Sequence, residues 1–333
     1  MKVSIIGTGY VGLVTGACFA EVGHDVVCVD VDRDKVDRIN RGETPIYEVG
    51  LEDLLRRHVG KRLRATTDLR AAILASEVTF IAVGTPFDGE HVDLTFIRRA
   101  ARDIGAALRD KRDFHVVVVK STVVPGTTDG VVLPVLEESS GKRAGADFGV
   151  GMNPEFLTEG VAVSDFMEPD RIVVGGIDAR TIEVLAKLYA SFPNVPIIRT
   201  NNKTAEMIKY TSNAVLAALI SFSNEIGNLC ARLGGVDVVD VMRGVHAARY
   251  FTTPMQDGRS VVAPIASFLY AGCGFGGSCL PKDVKAMVAH GEAAGQPMPL
   301  LDTVIKINSR QPQKIIEILE RNFASLKGVR VCV

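Results

Sequence analysis

The chain has no surplus of charge, no C-x-x-C pair and no long uninterrupted apolar run, and no secretory leader is expected. Its 38 lysines and arginines face 39 aspartates and glutamates, a formal net charge of −1. That balance removes the electrostatic case for nucleic acid or an acidic membrane surface as the main partner. No unbroken apolar stretch reaches the roughly 18 residues of a membrane span. The sequence opens directly on a strand-like KVSII, so no leader is expected. Neither a membrane partner nor a secretory route is therefore expected. Cysteines at 18, 28, 230, 273, 279 and 332 are scattered, without zinc-ligand spacing, so no metal is expected. Cys18 and Cys28 sit in apolar runs as packing residues, and a reducing cytoplasm is the expected compartment. At 333 residues the chain is long enough for two domains and a substantial core.

What is present begins at the first residue. Val3, Ile5 and Ile6 predict a short strand, followed by Gly7, Gly9 and Gly12 in G-x-G-x-x-G spacing, with Tyr10 and Val11 between the glycines. A helix is predicted to Glu21, and Val26–Val29 form a second strand ending at Asp30. The glycine pattern alone is weak, but a strand before it, a helix after it and an acid at the end of the next strand make it a dinucleotide signature. Gly7 permits the tight turn, Gly9 lets backbone approach a pyrophosphate, and Gly12 allows close helix–strand packing. The diphosphate is expected on the helix N-terminus. Asp30 is expected to accept hydrogen bonds from the adenosine ribose and to repel a 2′-phosphate, favouring NAD over NADP. Arg33 and Lys35 temper that preference.

Further apolar strands are predicted at Val78–Val83, Val116–Val119 and around Phe148–Gly151, separated by helix-like Asp34–Asn40 and Phe96–Leu108. This alternation predicts an α/β domain over residues 1–200, a doubly wound and mainly parallel sheet of Rossmann type. Ligands lie at the carboxyl ends of such strands, where Gly84-Thr85-Pro86 and Ser121-Thr122 fall and are expected to cover the nicotinamide half of the cofactor. Ordinary strand-ending turns would look the same locally.

A helical central domain is expected over 201–326. Apolar positions from Ala205 to Leu229 recur at helical spacing and stop before Gly234-Gly235. A helix of that length is a plausible dimerisation element. Lys209 and Asn213 share one of its faces, either as a polar surface or as part of a site. Leu300–Leu326 reads as helix broken at Pro312, and Lys327–Val333 reads as the first strand of a further Rossmann-like unit.

The densest chemical signal is Gly274-Phe275-Gly276-Gly277-Ser278-Cys279-Leu280-Pro281-Lys282-Asp283. Pro281 predicts a helix start, which puts Cys279 at a helix N-terminus with Asp283 one turn on. Such a terminus favours a thiolate, the nucleophilic form. The preceding glycines clear space for a substrate. A packing cysteine at a loop-to-helix junction shares these local features.

Taken in order, GTGYVG, VGTP at Val83–Pro86, KST at Lys120–Thr122, NPEFLTEG at Asn153–Gly160, AEMIKYTSN at Ala205–Asn213 and GFGGSCLPKDV give the chain a resemblance to the UDP-glucose/GDP-mannose dehydrogenase family over essentially its whole length. The resemblance implies oxidation of a nucleotide-linked hexose at C6 to the carboxylate with two NAD per turnover, UDP-glucose being the expected substrate; the alternatives are GDP-mannose as substrate, or a truncated fragment that binds NAD without turnover. It implies a homodimer or higher homo-oligomer, and a third domain of which 327–333 is the start.

The resemblance also implies roles. Cys279 is the nucleophile that captures the aldehyde. Lys209 and Asn213 stabilise oxyanions, and Asp283 organises proton transfer. Glu155 is the base for thioester hydrolysis, with Thr122 positioning the water. Glu159 and Lys282 join Tyr10, Val11, Lys35, Gly84, Thr85, Pro86 and Ser121 around the cofactor. Substrate contacts are expected from Glu155, Phe156, Leu157, Phe268, Tyr270 and Gly276, besides Lys209 and Asn213. The connection from His246 to Ala266 is longer than the pattern, so the arginine that a neighbouring subunit contributes in such enzymes has only Arg249 and Arg259 as candidates.

Overall fold

The computed structural model describes residues 1–332 apart from Gly258. It forms two compact units, one of Met1–Asp88 with Val92–Lys209, the other of Gly89–His91 with Tyr210 onward.

The first unit alternates strands and helices: β1 Lys2–Ile6, α1 Tyr10–Glu21, β2 Asp25–Val29, α2 Arg33–Asn40, α3 Leu51–His58, β3 Leu63–Thr66, α4 Leu69–Ala75, β4 Val78–Ile81 and α5 Thr95–Leu108. It continues through β5 His115–Val119, α6 Leu133–Ser140, β6 Phe148–Met152, α7 Ala162–Met167, β7 Ile172–Gly176, α8 Ala179–Leu188 and β8 Ile197–Thr200. The eight strands make one sheet in the order β3-β2-β1-β4-β5-β6-β7-β8, with every pairing parallel except β6 with β7.

The period of two in a strand sends alternate side chains to opposite faces. On β5, Val116 and Val118 enter the core that holds Leu13 and Phe19 of α1, whereas Val117 and Val119 enter the core that holds Ile97 and Ile104 of α5. Helices cover both faces, which is why these strands read as continuous apolar runs. Burying each such valine contributes roughly 1.5–3 kcal/mol. The strand order switches direction between β1 and β4, and the glycine turn that follows β1 lies at the carboxyl ends of the strands beside that switch point, where this fold binds ligands.

Helix α9, Asn202–Leu233, begins in the first unit and continues in the second. It stops at Gly234 and Gly235, both left-handed with φ of +71° and +67°, a conformation that glycine adopts without a Cβ clash. Its most apolar 18-residue window has mean hydropathy 1.4, enough by length and composition to cross a membrane. Within the second unit it carries buried polar groups with partners: Ser221 Oγ donates to Val304 O at 3.3 Å, and Asn224 Oδ1 accepts from Gly272 N at 2.7 Å. Those bonds suit a packed helix, since a polar group in hydrocarbon is costly.

The second unit adds α10 Val238–His246, the antiparallel hairpin β9 Thr252–Pro254 and β10 Ser260–Val262, α11 Leu280–Ala293 and α12 Pro299–Asn322. The hairpin lies in the long connection noted in the sequence. Two expectations are corrected here. Helix α12 runs through Pro312 without a break, because proline forfeits one backbone bond while both flanks stay helical. Residues 327–332 form a turn and coil instead of a strand, since no strand among the described residues pairs with them; Val333 lies outside the described residues.

Candidate active site

The glycine turn has the shape that a dinucleotide needs. Gly7 has φ +100°, and a Cβ there would meet Ala82 O at 2.7 Å. A Cβ on Gly12 would fall 2.0 Å from Gly7 O, so the turn and α1 close only without side chains. At Gly9, the residue before α1, a Cβ would meet nothing within 4 Å, and no side chain caps the helix. The backbone N–H groups of Tyr10 and Val11 therefore head a helix beside open space, which fits a pyrophosphate.

Asp30 stands at the end of β2. Its Oδ2 accepts from Thr8 N at 2.8 Å and Thr8 Oγ1 at 2.6 Å, and its Oδ1 from Asp32 N at 3.0 Å. Burial pushes its carboxyl up, but these hydrogen bonds outweigh it and, with Lys35 nearby, hold it below the ordinary carboxylate range. It remains an anion at half-buried depth, with acceptor capacity for ribose hydroxyls.

The loops after β4 and β5 are tied to each other. Thr85 Oγ1 donates to Thr122 O at 2.8 Å, and Ser121 Oγ to Val83 O at 2.6 Å. Those hydroxyls hold loop shape, leaving Gly84 and Pro86 exposed and Thr122 half-buried. Glu206, fully buried at the start of α9, accepts from Gly126 N at 2.5 Å and Thr128 N at 2.8 Å. Burial pushes its carboxyl up to about 7 despite those bonds. Glu206 lies inside AEMIKYTSN but gives no local sign of this anchoring duty.

Beneath the NPEFLTEG loop lies a buried polar network. Lys120 Nζ donates to Asn153 Oδ1 at 2.9 Å, Tyr189 Oη donates to the same atom at 2.6 Å, and Asn153 Nδ2 donates to Val173 O at 2.7 Å. Burial lowers Lys120 to about 8; Glu155 pulls it back up and Lys209 pushes it further down. Next along, Glu155 Oε1 pairs with Lys209 Nζ at 2.9 Å while its Oε2 accepts from Leu157 N at 2.7 Å. Phe156 receives Lys209 Nζ 5.6 Å from its ring centre and the Arg171 guanidinium at 4.0 Å. Phe156 and Leu157 are half-buried and pack against the two opposite cores. Because 153–158 is irregular rather than helical, the four-residue spacing does not give Glu155 and Glu159 one environment. Glu155 is buried, whereas Glu159 is exposed and acts electrostatically on Tyr10.

In the second unit Cys279 is the residue before α11, with Pro281 in the first turn, and it is exposed. Its Sγ lies 3.5 Å from Ser278 Oγ, and its carbonyl accepts from Asp283 N at 2.9 Å. Asp283 is 1% exposed and uses both oxygens: Oδ2 accepts from Asn213 Nδ2 at 2.6 Å, and Oδ1 from Lys282 Nζ at 2.6 Å. One amide hydrogen of Asn213 is thus committed to Asp283.

The glycine-rich approach is held by amides. Asn308 Oδ1 accepts from Phe275 N at 2.8 Å and its Nδ2 donates to Phe275 O at 2.9 Å, while Gln311 Nε2 donates to Gly272 O at 2.8 Å. A Cβ on Gly274 would strike Asn308 Oδ1 at 2.5 Å, whereas one on Gly276 would meet nothing within 4 Å. Asn308 and Gln311 were not among the sequence candidates, since a polar residue on a helix carries no local mark of the loop it holds. Phe268 is half-buried at the end of a 3₁₀ turn; Tyr270 is half exposed, its ring edge-on to His246 at 4.9 Å. Arg259 is paired with Asp257 at 2.7 Å, and Arg249 is exposed.

Residues 1–193 match the NAD binding domain of the UDP-glucose/GDP-mannose dehydrogenase family, and residues 203–310 match its central domain. The chain is 45% identical over 338 residues to UDP-glucose 6-dehydrogenase of Haloferax volcanii, covering 100% of this chain and 75% of that protein. It is 44% identical over 328 residues to GDP-mannose 6-dehydrogenase of Pseudomonas aeruginosa, covering 96% and 71%. A solved UDP-glucose dehydrogenase from Pyrobaculum islandicum superimposes with a TM-score of 0.88 at 40% identity, over 97% of this chain and 71% of that one.

Proposed function

Since the chain belongs to the UDP-glucose/GDP-mannose dehydrogenase family, a group of nicotinamide-dependent nucleotide-sugar dehydrogenases, we propose that it oxidises the C6 alcohol of UDP-glucose to the carboxylate of UDP-glucuronate. The observation that carries this reading is an exposed Cys279 heading α11, beside an Asp283 whose carboxylate is clamped by Asn213 and Lys282. A two-electron alcohol dehydrogenase has no use for that thiol.

NAD, when bound on the Gly7–Gly12 turn, supplies the hydride acceptor for both oxidations. The Cys279 thiolate adds to the C6 aldehyde, giving a thiohemiacetal whose oxidation leaves a thioester. Water then adds, the C–S bond breaks, and the thiolate leaves as the carboxylate forms. Lys209 and Asn213, one turn apart on α9, offer an ammonium and an amide hydrogen to the oxygen that gains charge in each addition. Glu155 takes the proton of the attacking water, which Thr122 positions. Asp283 helps to organise proton transfer.

The similarity to GDP-mannose 6-dehydrogenase supports a second substrate reading. Apolar Val215, Phe222 and Leu229, exposed at seven-residue intervals along α9, support a homodimer.

The test incubates the chain with NAD and either UDP-glucose or GDP-mannose, counting NADH and identifying the sugar product. Two NADH per uronate from UDP-glucose is the expected result. Turnover of GDP-mannose alone overturns the substrate, and one NADH per sugar overturns the thiol mechanism.

A further inference from the structure

Glu48 is 4% exposed, in the turn before α3, and belongs to none of the motifs above. Its Oε1 accepts from Ala162 N at 3.0 Å and its Oε2 from Gly160 N at 2.9 Å. The same Oε2 accepts from the Tyr10 hydroxyl. Tyr10 Oη also lies 3.2 Å from Thr158 O and accepts from Gly160 N at 3.1 Å. Burial and the Glu48 carboxylate push the Tyr10 phenol above its ordinary range, so it stays a donor.

These contacts join two parts of the first unit that lie 148 residues apart in sequence, Tyr10 and Thr158. Tyr10 is the first residue of α1, directly after Gly9, where a Cβ would meet nothing within 4 Å. Residues 158–161 end the loop that starts at Asn153 and carries Glu155 and Glu159, and Ala162 begins α7. A buried carboxylate bonded by two backbone N–H groups and a phenol makes charge-assisted bonds, stronger than neutral ones. Gly160, left-handed at φ +94°, lets the loop turn its N–H toward both acceptors.

We propose that Tyr10 and Glu48 are positioning residues which transmit occupancy of the dinucleotide turn to the loop bearing Glu155 and Glu159. Seating a pyrophosphate on the Tyr10 N–H restrains the first turn of α1. The Tyr10 hydroxyl passes that restraint to Glu48 and Gly160, and the loop spends less time open. Coupling of this kind between sites is typically about five- to a hundredfold. The inference rests on cofactor binding at the glycine turn.

The test is amide hydrogen exchange at Gly160 and Ala162, with and without NAD, in the wild type, Tyr10→Phe and Glu48→Gln. In the wild type NAD is expected to slow exchange at both amides by about fivefold or more. Tyr10→Phe leaves Glu48 gripping the loop, so its exchange without NAD stays near the wild-type rate and the further slowing by NAD disappears. Glu48→Gln speeds exchange in both states. Equal slowing in Tyr10→Phe and wild type overturns the coupling, as does NAD binding to the wild type by calorimetry without slowed exchange. Failure of NAD to bind the wild type at all overturns the cofactor reading, and the coupling with it.

Discussion

Lys209 and Glu155 form an enclosed ion pair, Nζ to Oε1 2.9 Å, with side chains 6% and 7% exposed. Removing one member of a buried pair strands a charge, whereas replacing both with apolar groups is often nearly neutral. Lys209→Met is therefore expected to destabilise the chain by about 3–5 kcal/mol. The double variant Lys209→Met with Glu155→Leu is expected to recover most of that loss without recovering turnover. Urea denaturation alongside NADH production checks both halves; equal stability of single and double variants would refute the pairing.

Lys120 is expected to lower stability at neutral pH. Burial holds it at about 8, against an ordinary 10.5. Between those values the unfolded chain binds more protons, so stability rises with pH from about 8 to 10.5, by roughly 3 kcal/mol in all. Lys120→Met is expected to flatten that rise and to melt higher than wild type at pH 7, while turnover falls because the Asn153 network loses its cation. Denaturant titrations at about pH 7 and 10 give the slope; an unchanged slope rules out a buried charge.

His115 acts on the acid side. Burial, with Lys111 second, lowers it to about 3, and it sits between Thr79 Oγ1 at 2.7 Å and Ser76 O at 3.1 Å. The unfolded chain gains the proton first, so stability is lost as pH falls from about 6.5 to 3, by up to roughly 5 kcal/mol. His115→Asn is expected to lose stability more gently over that range, read from melts at successive pH values.

Cys279 is exposed, so Cys279→Ser is expected to melt within about 0.5 kcal/mol of wild type, as surface changes do. NAD binding is retained and net production of acid is lost. Acid formation at the wild-type rate would remove Cys279 from the mechanism.

Asp30→Ala takes away the acceptor that organises Thr8 and the anion that opposes a 2′-phosphate. NAD binding is expected to weaken about tenfold or more, as when a charged hydrogen-bonding group is lost. The preference for NAD over NADP narrows. Calorimetry with both coenzymes measures the two effects, and an unaltered preference would sink the assignment.

The glycine turn, the parallel strands, the span of α9 and the helix start at Cys279 were legible because each is a local property. A left-handed or crowded backbone demands glycine at Gly7 and Gly12, apolar runs mark strands covered on both faces, and Pro281 marks a first helical turn. Pro312 misled because a proline's local cost is outweighed when the flanking turns pack. The hairpin in the long connection was visible only as extra length.

The amino-acid order by itself determined where strands, helices and turns form and which residue types carry chemistry, since those depend on dihedral preference, periodicity and capping within a few positions. Only the tertiary structure decided who meets whom. It set Glu155 against Lys209, Lys120 and Tyr189 on Asn153, Asn308 and Gln311 on the glycine loop, and Glu48 under Tyr10 and Gly160. Those partners are distant in sequence, and they are selected because a buried polar group must find a complementary one once the sheet and helices have excluded water.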